Sequence, residues 1–193
     1  MARLREFDYN ETLVNAGKQF WAKGYQATSI TDIASVTGVK PGSLYKAFGD
    51  KKGLFLKCVK HYMEHTSYYA ILIENPETSL KESLRKIFNL MVDSCDETVR
   101  NSGCLVTNSA YEMAAVDDEI FGEMNNHLST MKQAVISRVR SAQASGEIDE
   151  TKDADTLAAY IMTLIQGLLV SSRVTKDQTE MRKAIKLGLS LLD

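Results

Sequence analysis

The stretch TDIASVTGVKPGSLYKAFGDKKGLF, from Thr31 to Phe55, gathers residues suited to meeting an anionic polymer. Lys40 and Lys46 can neutralise phosphates or donate to guanine acceptors. Gly42 carries no Cβ, so its backbone can come close to a phosphate or a base edge. The Ser43 hydroxyl can donate to either. Tyr45 can set its ring on a sugar face and its hydroxyl on a phosphate. Lys51 heads the next helix and offers a further phosphate contact beside free N-terminal amides. Pro41 is tolerated at a first helical position, whose amide lacks an intrahelical partner in any case. Thr31, opening the preceding short helix, completes the candidate nucleic-acid contacts.

Charge distribution agrees with that chemistry. The formal net charge is −2, but residues 1–60 carry ten Lys and Arg against five Asp and Glu. Residues 61–193 carry thirteen against twenty. A basic first third on an acidic remainder suggests that one end meets a polyanion.

Those residues need elements to hold them. Tyr9, Leu13, Ala16 and Phe20 repeat at helical spacing and predict a helix over Tyr9–Lys23, closed by Gly24. Ser29, with Asp32 three residues on, predicts a capped start for a short helix that Gly38 ends. Leu44 and Phe48 form the inward side of a second short helix beginning near Lys40 or Pro41. Asp50 caps a long helix running to about Glu74, broken by Asn75-Pro76. Further amphipathic helices are expected over Ser79–Asp93, from Ser102-Gly103 to Ala115, and from Asp117-Asp118 to Ala144. Two more carry the Leu157–Leu169 and Met181–Leu192 stripes. Period-2 strand signals are missing. The expected fold is all-α, with about nine helices.

Two short helices joined at a Gly corner and packed on a preceding helix are the parts of a helix-turn-helix, whose second short helix enters the DNA major groove. GYQATSITDIASVTGVKPGSLYKAFGDKKGLF resembles the signature of the TetR family of bacterial transcriptional regulators. The resemblance lies in the G-Y-x-x-T-S-I-x-D-I-A run, the Gly-Val corner, the G-S-L-Y core and K-x-x-L-F. Lys40-Pro41 departs from the polar cap common in that family. The resemblance implies a helix-turn-helix domain over residues 1–52 and an effector-binding, dimerising helical domain over residues 53–193. It also implies a homodimeric repressor, released from a palindromic double-stranded operator by a small-molecule effector.

The two C-terminal stripes hold more apolar residues than one small bundle needs. Leu157, Tyr160, Ile161, Leu164, Leu168, Ile185 and Leu192 are therefore the expected dimer contacts. Tyr62, Phe88, Met91, Cys104, Asn108 and Tyr111 are the expected effector-pocket residues. Cys104, read as lying in the first turn of a helix near Arg100, raises an alternative in which a thiol senses electrophiles or oxidants. The GCLxxNxAxE pattern around it resembles a TetR-like subgroup. A helical protein-interaction module without DNA function is a third reading.

Other chemistry finds little support. His61 and His65 lie four apart on one helix, with no carboxylate to complete a metal site. No P-loop, nucleophile elbow or paired acid and base appears, so no enzyme, metal or cofactor is expected. Cys58, Cys95 and Cys104 form no disulfide framework and fit a reducing cytoplasm. MARLREFDYNE lacks a signal-peptide core, and no apolar stretch is expected to span a membrane.

Overall fold

The computed structural model describes residues 7–65, 71–72, 77–93, 103–175 and 177–192. Among these residues there are nine helices and no strand. They are α1 (Tyr9–Lys23), α2 (Ile30–Thr37), α3 (Pro41–Phe48), α4 (Lys51–His65), α5 (Leu80–Asp93), α6 (Leu105–Met113), α7 (Asp118–Ala144), α8 (Ala154–Val174) and α9 (Thr179–Ser190). The Asn75-Pro76 break, Cys95, and the expected extension of α4 beyond His65 through residue 70 lie outside the described residues.

Two compact units emerge. One comprises Met1–His65 and Leu105–Met124, the other Thr66–Cys104 and Asn125–Asp193. This partition differs from a division after residue 52. The reason is packing: α1 buries Leu13, Ala16 and Phe20, and α4 buries Leu54, Phe55, Cys58 and Val59. The two helices are in contact, and α6 touches both.

Local chemistry sets the first unit's helix ends. Asp8 caps α1 by accepting from the Glu11 amide at 2.8 Å. Ser29 and Asp32 form a reciprocal capping box on α2. Gly38 then adopts φ 69°, the left-handed corner that turns the chain into α3. Asp50 accepts from the Gly53 amide at 2.7 Å and opens α4 as expected. Phe20 meets Phe55 edge-on, with ring centroids 5.0 Å apart, and Tyr25 lies against both rings. Each such fully buried ring contributes roughly 1.5–3 kcal/mol relative to exposure.

The second unit buries Leu84, Ile87, Phe88 and Met91 of α5 with Val135 and Val139 of α7 and Ile161, Leu168 and Ile185 of the last two helices. Helix α8 corrects one expectation: it is long and apolar enough, by length and composition, to cross a bilayer. Its apolar excess is instead divided between this core and an exposed strip that includes Val170 and Val174.

Candidate nucleic-acid interface

Helix α3 has an inner and an outer side. Leu44 and Phe48 are buried, and the Phe48 ring stacks on Tyr9 at 5.0 Å. Those two anchors turn Pro41, Gly42, Tyr45 and Lys46 outward, with Ser43 half-buried between. Lys40 and Thr31 are also exposed. Tyr45 retains 49% of its exposure, unusual for a large ring in a small domain.

The two short helices differ at their N-termini. On α2 the capping box occupies the amides, and the Ser29 hydrogen bonds hold the Asp32 carboxyl down at about 2, with help from Lys23. On α3 the N-cap is Lys40, which makes no side-chain cap, and Pro41 follows at the first helical position. A Cβ added at Gly42 would meet nothing within 4 Å. The outward helix therefore begins with amides that no side chain closes off, flanked by an exposed ammonium. An anion suits that place electrostatically.

A second set of contacts holds the turn before α2 and the head of α4. The Glu112 carboxylate on α6 accepts from two successive backbone amides, Tyr25 at 2.9 Å and Gln26 at 2.8 Å. Gly24, at φ 88°, makes room: a Cβ there would sit 2.9 Å from Glu112 Oε2. Lys52 on α4 pairs with Asp117 at 2.9 Å and with Glu119 at 2.5 Å, and these carboxylates raise its pKa.

Comparison with known proteins agrees with this arrangement. The family description "Bacterial regulatory proteins, tetR family" matches residues 13–58. "Tetracyclin repressor-like, C-terminal domain" matches residues 81–187, more than half of the chain. The uncharacterised HTH-type transcriptional regulator YezE of Bacillus subtilis is 32% identical over 196 residues, covering 100% of both chains. This chain belongs to the TetR family. The HTH-type transcriptional repressor ComR of Escherichia coli is 27% identical, covering 89% of this chain and 82% of its own. Among solved structures, a cysteine mutant of the TetR family regulator CifR, complexed with 26-base-pair double-strand operator DNA, superposes with TM-score 0.82. It is 27% identical, covering 99% of this chain and 100% of that one. The protein is thus a DNA-binding transcriptional regulator of TetR type and not an enzyme.

Within this TetR chain, one expected DNA contact has another occupation. Lys51 Nζ donates to the Tyr25 and Thr28 carbonyls, both at 3.1 Å, and lies 4.3 Å from the centre of the Tyr25 ring. It staples the turn between α1 and α2 to the head of α4, because two carbonyls converge where the sequence suggested an open surface.

None of the expected effector residues lines the cavity between α5 and α9. Phe88 and Met91 are buried in the second unit's core. Tyr62, in the first unit, meets Trp21 edge-on at 5.3 Å. Tyr111 is 90% exposed, on the side of α6 opposite its buried Leu105, Val106 and Ser109. Asn108 is half-buried on the same helix. Cys104 precedes α6 instead of opening its first turn, and packs half-buried against the second unit's core. Arg100 lies outside the described residues. Burial pushes the Cys58 thiol up to about 12. No group of three or more potential metal ligands occurs among the described residues.

The expected dimer contacts fall into two groups. Ile161, Leu168, Ile185 and Leu192 are buried inside the protomer, and Leu157, Tyr160 and Leu164 are half-buried against the same core. A side chain already enclosed by its own chain has little surface to offer a partner. The exposed apolar side chains of this region are Val170 and Val174 on α8, Leu187 on α9 and the following Leu191.

Proposed function

We propose that this regulator is a cytoplasmic homodimeric repressor that binds a palindromic operator through α3 and leaves it when a small molecule binds the C-terminal unit. The observation that carries the DNA reading is the outward face of α3. It combines exposed Lys40, Tyr45 and Lys46 with an N-terminus that no side chain caps. Gly42 and Ser43 bring backbone and hydroxyl within reach of phosphate or base edges, and the two lysines supply phosphate contacts. The repressor ComR and the operator complex of CifR support the same reading.

The paired state rests on Val170, Val174, Leu187 and Leu191. Two antiparallel helices that expose apolar strips are covered when a second copy presents the same strips across a two-fold axis. Such symmetry calls for half-sites about one helical turn, or a multiple of it, apart. Replacing Leu187 with Glu is expected to shift the protein from dimer to monomer in sedimentation analysis. An unchanged dimer would remove this face from the assignment. Release by a small molecule is supported by the match of residues 81–187 to a tetracycline-repressor-like domain.

The test of the function is titration of the purified protein against a labelled duplex carrying its own upstream region. Tight binding that discriminates against a scrambled duplex supports the reading. Binding of equal strength to both would contradict it for that region.

A further inference from the structure

The second unit contains an open cavity of about 410 Å³ between α5 and α9. We infer that this groove binds a small amphipathic anion, its carboxylate or phosphate head held by Arg85 and Lys186 and its apolar body lying on Val92, Ile185 and Leu189. The inference is independent of the DNA-binding reading.

The lining has a consistent sign. Lys81 and Arg85 enter from α5, Arg182 and Lys186 from α9, and no carboxylate lines the cavity. This clustering stands out because residues 61–193 carry more acids than bases. The Arg182–Asp93 pair sets the start of α9 beside the end of α5, so the helices run antiparallel and the groove follows them. Arg182 is therefore already neutralised at one end. Among the described residues no carboxylate lies within 4.0 Å of Arg85 or Lys186, and both are exposed. The acids nearby on the sequence are engaged elsewhere. Glu82 pairs with Lys86 at 2.9 Å, and Glu180 with Lys183 at 2.7 Å.

Side chains, not helix ends, carry this site. The first amides of α5 are already taken by Glu147, which accepts from Leu80 at 2.9 Å and Lys81 at 2.8 Å. An arginine fork and a lysine in one groove match a carboxylate or phosphate head. Beneath them Val92 and Ile185 are buried and Leu189 is half-buried, so the floor is apolar. The volume lies in the range of small-molecule sites. On α9, the groove residues Arg182, Ile185, Lys186 and Leu189 occupy a different face from Leu187, so dimer formation and groove binding are separable.

The test is isothermal titration of the full-length protein with hexanoate, hexyl phosphate, inorganic phosphate and hexyl glucoside. Wild type is expected to bind hexanoate or hexyl phosphate saturably, one per chain. The double variant Arg85→Glu/Lys186→Glu is expected to lose at least tenfold in affinity, and Arg85→Ala/Lys186→Ala serves if the reversal does not fold. The better of the two alkyl anions identifies the head. Unaltered affinity in a folded variant overturns the inference, as does the absence of saturable binding to either alkyl anion. Equal binding of hexyl glucoside overturns the role of the cations. Equal binding of inorganic phosphate overturns the role of the apolar floor.

Discussion

Replacing Glu112 with Ala removes a carboxylate that holds two consecutive amides of the turn leading into α2. The bonds are 2.9 Å to Tyr25 and 2.8 Å to Gln26. A hydrogen bond to an ionised acceptor contributes about 1.5–3 kcal/mol when buried. Here Tyr25 is half-buried and Gln26 exposed, so the released amides regain water. Each bond therefore falls below that range, to about 1 kcal/mol, and the pair is expected to contribute about 2 kcal/mol. For a chain of this size that is a fall in Tm of about 4–8 °C. Glu112→Gln keeps one acceptor but turns an amide group toward an N–H, so it should lose at least half as much. Thermal unfolding gives the total, and hydrogen exchange locates it, since the Tyr25 and Gln26 amides should exchange faster in Glu112→Ala. Wild-type exchange at both amides, whatever the Tm, would refute the reasoning.

Three further predictions follow from single geometries. A Cβ at Gly53 would stand 2.3 Å from the Phe48 carbonyl oxygen, a backbone atom with little freedom to move. Gly53→Ala should therefore cost about 1–3 kcal/mol, and the accompanying shift of α3 should weaken operator binding. Equal unfolding midpoints would contradict this. Asp32 has its carboxyl lowered from 3.8 to about 2, chiefly by Ser29. A depressed carboxylate stabilises fully above its unfolded pKa, and that stabilisation is lost as pH falls from about 4 toward 2. Between pH 5 and 2, stability of Asp32→Asn should fall less steeply than that of wild type, and parallel curves would count against the capping box. Leu187→Glu, described above, probes the pairing face in the same direct way.

How much of this was legible in the chain depends on the range over which each feature is determined. Helix α1 runs from Tyr9 to Lys23 as its periodicity predicts, because the Asp8 cap and the Gly24 end are written locally. The Ser29–Asp32 cap and the Gly38 corner are equally local, as is the outward set on α3, whose opposite side is fixed by Leu44 and Phe48. The two carbonyls that Lys51 meets, those of Tyr25 and Thr28, lie 26 and 23 residues away, beyond the reach of local pattern. Glu112, the last residue of the GCLxxNxAxE pattern, has partners 87 and 86 residues distant, so the pattern alone gives it no role.

Periodicity finds the strongest apolar stripe on a helix, and on α8 and α9 that stripe serves the protomer's own core. The exposed strip, with Val170, Val174, Leu187 and Leu191, emerges only when burial is known. The expected effector residues are aromatic or sulfur-bearing side chains, with Asn108 beside them. The cavity between α5 and α9 is rimmed by cations of two helices far apart in sequence, which no local pattern brings together. Tyr111 shows the same limit, an aromatic residue at helical spacing whose side faces solvent.

The central claim is that the outward face of α3 meets DNA phosphates through Lys40 and Lys46. Its most direct test is the salt dependence of operator binding, compared between wild type and Lys40→Ala/Lys46→Ala. Two lysines on each of two subunits make four phosphate contacts, and each contributes about 0.9 to the slope of log K against log salt. The variant's slope should be shallower by about 3–4, with the dimer intact. An unchanged slope would mean that these lysines touch no phosphate and that another surface holds the DNA.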